Sequence, residues 1–227
     1  MVEFLFLDLD DTILDFGTTE RKSISRLLEH FDIAPTEELI HRYHVINLEH
    51  WKRLERGEIT REQISDRFDV LFSELGKTVP TADCEVLYRR YLSQGTDFMP
   101  GAAEAVEVLH QKYRLFLASN GTASVQASRL ALTGLGAYFE NIFVSQELGA
   151  NKPSPEFFTK AFAQIPDFDR SRAMMVGDSL TSDILGGKNA GIRTCWVNPN
   201  GRPARSDIRP DYEIQSLAQL PELLESL

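Results

Sequence analysis

Cysteine is nearly missing from this chain: 227 residues hold two, Cys84 and Cys195. Two thiols far apart and in unlike contexts read as free thiols of a reducing compartment, which excludes the disulfide-stapled secreted scaffolds. Long apolar runs are missing too. No stretch approaches the roughly 18 apolar residues that span a bilayer. The opening Met1-Val-Glu-Phe-Leu-Phe-Leu-Asp8 turns acidic where the apolar part of a secretory leader would continue. A cytoplasmic protein with no membrane contact is therefore expected. Positive charge is in deficit: 24 Lys+Arg against 34 Asp+Glu leave a net charge of −10. A surface of that sign repels polyphosphate, so nucleic acid polymers are not expected as partners. A small anion remains possible where a metal or a few cations offset the charge. No repeat of roughly 20–50 residues is visible, which argues against solenoids and propellers.

What is present is an alternation. Residues 3–8 form a short continuous apolar run ending in a carboxylate, the pattern of a strand buried on both faces. Similar runs occur at Arg114–Ser119, Asn141–Ser145, Ala173–Gly177 and Arg193–Val197. Helical patterns separate them, at Ala102–Gln111, Val125–Leu132 (with Leu130 and Leu132 before Gly134) and Pro155–Gln164; Ser216–Leu227 reads as a closing helix. This spacing predicts an α/β fold, a parallel sheet with helices on both faces. Residues 18–95 break the rhythm. Ile24, Leu27, Leu28 and Phe31 share one helical face, and Leu39, Ile40, Tyr43 and Ile46 another. Thr60-Arg-Glu-Gln63 has the form of a reciprocal capping box, Gly76 closes the helix that follows, and a last helix covers about Thr81–Leu92. The expected organisation is a core of residues 1–17 and 96–227 with an all-helical insertion, 18–95, after the first strand.

Chemistry-bearing residues gather at the ends of the predicted strands. Asp8-Leu9-Asp10-Asp11-Thr12 follows the first, Ser119-Asn120-Gly121 the second, and Lys152 lies in the loop after the third. Gly177-Asp178-Ser179 follows the fourth, with Asp183 a turn later. In open α/β sheets ligands bind outside the carboxyl ends of strands. Taken singly, an Asp after a strand reads as a helix N-cap, a Ser as a turn residue and a Lys before Pro as solvated. Their succession at neighbouring parallel strands does not. Crowded carboxylates call for a cation; a hydroxyl and an ammonium suit a phosphoryl group.

This series, Asp8-x-Asp10-x-Thr12, Ser119, Lys152 and Gly177-Asp178-Ser179-x-x-x-Asp183, resembles the haloacid-dehalogenase-like (HAD) hydrolase superfamily over the whole chain. The segments His50–Thr60 and Gly177–Ile192, running on to Thr194–Pro199, resemble its pyrimidine 5′-nucleotidase group. The resemblance implies a Rossmann-like three-layer core, a helical cap formed by residues 18–95, and a Mg²⁺-dependent phosphomonoesterase acting on a small phosphate ester, a pyrimidine nucleotide. It makes Asp8 the nucleophile and Asp10 the general acid and base, with Thr12 holding Asp10. Mg²⁺ would be held by the Asp8 carboxylate, the Asp10 carbonyl and Asp178, with Asp183 as a further ligand or orienting the metal's waters. Ser119, Asn120 (through backbone N–H) and Lys152 would cradle the phosphoryl oxygens.

Other readings weigh less. On the same scaffold, a phosphatase of another ester or a sugar-phosphate mutase uses the same core residues. A dehalogenase has no alkoxide to protonate and no use for Asp10. A phosphoacceptor signalling switch needs neither Asp10 nor the insertion. Gly186-Gly-Lys-Asn189 lacks the spacing and the Ser/Thr of a P-loop. His30, His41, His44 and His50 fall in the insertion without a metal-binding spacing. Phe16, Tyr43 and Trp51 are candidates to stack on a base, with hydrophobic core as the competing use.

Overall fold

The computed structural model describes all 227 residues. Strand β1, Phe4–Leu7, is followed by α1 (Phe16–His30), α2 (Glu37–Glu55), α3 (Asp66–Glu74) and α4 (Thr81–Leu92). The chain then alternates: α5 (Ala102–Leu109), β2 (Arg114–Ser119), α6 (Ala123–Thr133), β3 (Asn141–Val144), α7 (Ser145–Leu148), α8 (Pro155–Phe162) and β4 (Ala173–Gly177). It closes with α9 (Leu185–Ala190), β5 (Arg193–Val197), β6 (Tyr212–Ile214) and α10 (Leu220–Glu225). Two compact units result: Met1–Asp15 with Thr96–Leu227, and Phe16–Gly95.

In the first unit six strands form one parallel sheet in the order β3-β2-β1-β4-β5-β6. Side chains alternate across it, as a period of two requires. Leu5, Leu7, Leu115, Leu117, Met174 and Val176 point to one face, with Val106 of α5, Leu130 of α6 and Leu220 of α10. Phe4, Phe6, Phe116, Phe143 and Met175 point to the other, with Phe157, Phe158 and Phe162 of α8. Each such side chain, fully buried, contributes about 1.5–3 kcal/mol, so a strand apolar on both faces anchors three layers at once. The sixth strand, β6, is a correction to the sequence reading. Its three residues, Tyr-Glu-Ile, are too short to register as an apolar run, and it pairs only with β5 at the sheet edge. The two chain crossings to the inserted segment lie side by side: Asp15 N–H donates to the Asp97 carbonyl at 2.9 Å, and Leu14 bridges Phe98.

The second unit packs Ile24, Leu27, Leu28, Tyr43, Phe68, Leu71, Phe72 and Tyr88, all buried. Arg67 is buried among them, donating to Glu85 at 2.7 Å, to the Tyr43 hydroxyl at 3.1 Å and to the Ile64 carbonyl at 2.6 Å. Half of the expected capping box forms. The Gln63 side chain accepts from Thr60 N–H at 2.8 Å, while the Thr60 hydroxyl bonds Glu62, and the turn Glu62–Ser65 is 3₁₀.

Candidate active site

The strand order reverses beside β1, with β2 and β3 on one side and β4 to β6 on the other. That is the switch point where a crevice opens outside the strand ends. Leu7 stands opposite Leu117 and Val176, so Asp8, Ala118 and Gly177 are the next residues of three adjacent strands. Asp8 extends the ladder through its N–H, which donates to the Val176 carbonyl at 3.0 Å, and its side chain is almost wholly buried.

Lys152 precedes α8 and is 1% exposed. Its ammonium donates to Asp8 Oδ1 at 2.7 Å, Asp183 Oδ1 at 2.6 Å and the Ala118 carbonyl at 2.5 Å, using all three of its protons. Its main chain is clamped by the Asn120 amide: Oδ1 accepts from Lys152 N–H and Nδ2 donates to the Lys152 carbonyl, both at 2.8 Å. The Asn120 side chain therefore positions Lys152. Burial works against the Lys152 charge, but Asp183 and Asp8 outweigh it and hold its pKa above the usual lysine range.

Asp183 reaches this cluster because β4 ends in glycine. A Cβ at Gly177 would lie 2.2 Å from Asp183 Oδ2. The following turn, Leu180–Ile184, is a π-helix, a distortion frequent at functional sites. Ser179 N–H donates to Asp183 Oδ2 at 3.0 Å and fixes the carboxylate.

Asp8, Asp178 and Asp183 each place an oxygen within 4.8 Å of the others. Burial, reinforced by Asp183 and Asp10 and opposed by Lys152, raises the Asp8 carboxyl to about 8. Burial with Asp183, Asp8 and Asp11 nearby raises Asp178 well above the carboxylate range. Hard oxygen donors carrying more negative charge than one ammonium offsets fit a divalent cation. A carboxyl with a raised pKa holds a proton that the unfolded chain releases, so stability present at low pH is lost as pH rises through the folded value. For Asp8 this window runs from 3.8 to about 8. The melting temperature of chelator-treated protein is expected to fall between about pH 5 and pH 8, and added divalent cation to raise it more at the higher pH, because it displaces those protons. A melting temperature independent of pH, with or without cation, would contradict this charge balance.

Asp10 has different partners. Its Oδ1 pairs with the Arg129 guanidinium and its Oδ2 accepts from Gln126 Nε2 at 2.7 Å, both from α6. The Thr12 hydroxyl, expected to hold Asp10, is buried without a hydrogen-bond partner. A longer, charged side chain from the neighbouring helix has taken that task. Ser119, at the end of β2, accepts from Gly121 N–H at 3.0 Å and from Gln126 Nε2 at 2.9 Å. Asp11 turns the chain with φ 56° and donates its N–H to Leu14.

In the helical unit, Tyr43 is removed from base contact. It is fully buried, stacked on Phe68 with centroids 5.8 Å apart and bonded to Arg67. Trp51 is half-buried against Leu54, Ile59 and Ile64, with Arg61 over its ring, and Phe16 is half-buried at the start of α1. His44 pairs with the buried Glu20, and His50 with the Ile46 carbonyl. The segment Gly186–Asn189 lies within α9, not in a phosphate loop.

The model of the family described as haloacid dehalogenase-like hydrolase matches residues 5–197. The chain belongs to that family. This hydrolase is 38% identical over 221 residues to the HAD-hydrolase YfnB of Bacillus subtilis (strain 168), covering 97% of this chain and 94% of the relative. A crystal structure of YfnB bound to magnesium matches it with a TM-score of 0.94 at 38% identity, covering 98% of both chains. Pyrimidine 5′-nucleotidase PynA of Streptococcus pneumoniae is 36% identical over 225 residues, covering 98% of this chain and 95% of PynA. Pyrimidine 5′-nucleotidase YjjG of Escherichia coli (strain K12) is 31% identical over 223 residues, covering 98% and 97%. No helix of the hydrolase is long and apolar enough to cross a membrane.

Proposed function

We propose that this hydrolase is a Mg²⁺-dependent phosphomonoesterase that cleaves pyrimidine nucleoside 5′-monophosphates through an aspartyl-phosphate on Asp8. The observation that carries the reading is the division of labour between two carboxylates two residues apart. Asp8 is buried against the Lys152 ammonium, and Asp10 is held separately by α6.

An Asp8 oxygen attacks phosphorus while the ester P–O bond breaks, and its electron pair stays on the leaving oxygen. Asp10 gives that oxygen a proton. Asp10, now a carboxylate, takes a proton from water as the water oxygen attacks phosphorus; inorganic phosphate leaves and Asp8 is restored. Ser119 donates to a phosphoryl oxygen, and the Lys152 ammonium, its three protons given to Asp8, Asp183 and the Ala118 carbonyl, offsets the phosphoryl charge through its own. Asp8, Asp178 and the Asp10 carbonyl, with Asp183 beside them, would hold Mg²⁺, which would supply charge neutralisation for the dianionic ester. The residues 16–95 are assigned leaving-group selection, with Trp51 and Phe16 as the aromatic candidates.

The nucleotide choice is supported by the two pyrimidine 5′-nucleotidases among the relatives. A rate screen with Mg²⁺ over UMP, dTMP, purine nucleotides and sugar phosphates tests it. Pyrimidine nucleotides are expected to lead in kcat/KM by about 10–200-fold, the discrimination of a shaped pocket. Sugar phosphates outrunning UMP and dTMP would overturn the nucleotidase reading and leave the phosphatase reading standing; no turnover of any ester would overturn both.

A further inference from the structure

Gln126 and Arg129 sit one turn apart on α6, and both are 1% exposed. Helices rarely bury two such groups without using their donors. Here Arg129 Nη1 and Gln126 Nε2 reach two residues of the reaction, Asp10 and Ser119. Arg129 Nη1 donates to Gln126 Oε1 at 3.1 Å, which fixes which end of the amide is which. Nε2 of Gln126 then spends its protons on Asp10 Oδ2 and Ser119 Oγ. The approach is close enough that a Cβ at Gly121 would lie 2.2 Å from Gln126 Nε2.

Two consequences follow from hydrogen-bond capacity. Asp10 is gripped at both oxygens, by Arg129 and by Gln126. Ser119 Oγ accepts from Gln126 and from Gly121 N–H, so both its lone pairs are occupied and only its proton remains to be given. The oxygens of an ionised phosphoryl group accept and do not donate. A hydroxyl held as a donor is already in the state they require.

We propose that Gln126 and Arg129 are positioning residues that set Asp10 toward the leaving oxygen and Ser119 toward the phosphoryl oxygens. The proposal rests on Asp10 being the general acid. A pair that served stability alone would have no need of a partner carboxylate left accessible, whereas the Asp10 side chain is 27% exposed beside an Arg129 side chain that is 1% exposed.

Leaving-group dependence tests it. The phosphoryl-transfer step governs kcat/KM, and a nucleoside alkoxide needs a proton in that step while p-nitrophenolate departs without one. Arg129→Ala is expected to lower kcat/KM for a nucleoside 5′-monophosphate by about 10–100-fold, the lower part of what a general acid contributes, and for p-nitrophenyl phosphate by clearly less, since that ester feels only the loosened Gln126 amide and, through it, Ser119. Arg129→Lys, keeping a cation on α6, is expected to recover part of the loss. Gln126→Leu is expected to lower both esters, because Ser119 loses its orienting donor, and the nucleotide further. Asp10→Asn is measured alongside. If it shows the leaving-group bias and neither the Arg129 nor the Gln126 variants do, the positioning role is overturned while Asp10 stays the acid. If Asp10→Asn shows no bias, the acid assignment fails and the proposal with it. Should Arg129→Ala not fold, Arg129→Lys and Gln126→Leu decide by the same ratio of esters.

Discussion

Asp8→Asn should lose turnover by on the order of 10⁶-fold, the scale on which covalent mechanisms depend on their nucleophile. The amide keeps the shape of the side chain but cannot attack phosphorus usefully, and it removes one of the carboxylates grouped with Asp178 and Asp183. Asp10→Asn, by contrast, should retain slow turnover, down about 10²–10⁴-fold. Trapping separates the two roles independently of rates. Beryllofluoride, which mimics a phosphoryl group on a carboxylate, should be found on Asp8. Wild-type turnover in Asp8→Asn, or beryllofluoride on another carboxylate, would place the nucleophile elsewhere.

Lys152→Met should lower kcat by about 10²–10³-fold, the loss on removing one preorganised electrostatic stabiliser, with a smaller change in KM. The ammonium's three partners are all fixed groups of the core, so its charge is in place before substrate arrives. The same substitution leaves Asp8 and Asp183 buried without their cation. Breaking such a pair on one side costs about 3–5 kcal/mol. Metal-free Lys152→Met should therefore melt far below the parent, and Mg²⁺ should recover more stability in the variant than in the parent. A change confined to KM would reduce Lys152 to uniform binding of ground and transition states.

The core was legible in the sequence because parallel strands covered on both faces must be apolar at every position, and the chemistry follows immediately after them. Asp8, Ser119 and Asp178 could be placed by strand ends, Lys152 by the loop after the third strand and Asp183 by the turn after the fourth. Asp10 could be placed but not its partners. Leu130 and Leu132 carry the apolar pattern of α6 in the sequence, yet Leu132 is 61% exposed while Gln126 and Arg129 face inward beside Leu130. A signal existed: Gln126 and Leu130, like Val125 and Arg129, are four residues apart, so the polar pair shares the apolar stripe. Polar residues on a helix read by default as solvated, and only the carboxylate across the gap reveals otherwise. Tyr43 failed in the opposite sense, since an aromatic residue at helical spacing serves a core as readily as a ligand.

The two crossings between residues 1–15 and the returning chain at Thr96 meet in a backbone hydrogen bond, Asp15 to Asp97, beside the Leu14–Phe98 bridge. The gap that any intervening segment must span is thus set by the sheet-bearing unit and not by the segment. Closing a loop across a fixed gap grows dearer by only about 0.6 kcal/mol for each doubling of its length. Residues 16–95 can accordingly be treated as a cassette. Exchanging them for a helical segment of different length and composition is therefore expected to leave the sheet folded and, on the proposed role of this segment, to change which leaving group is accepted.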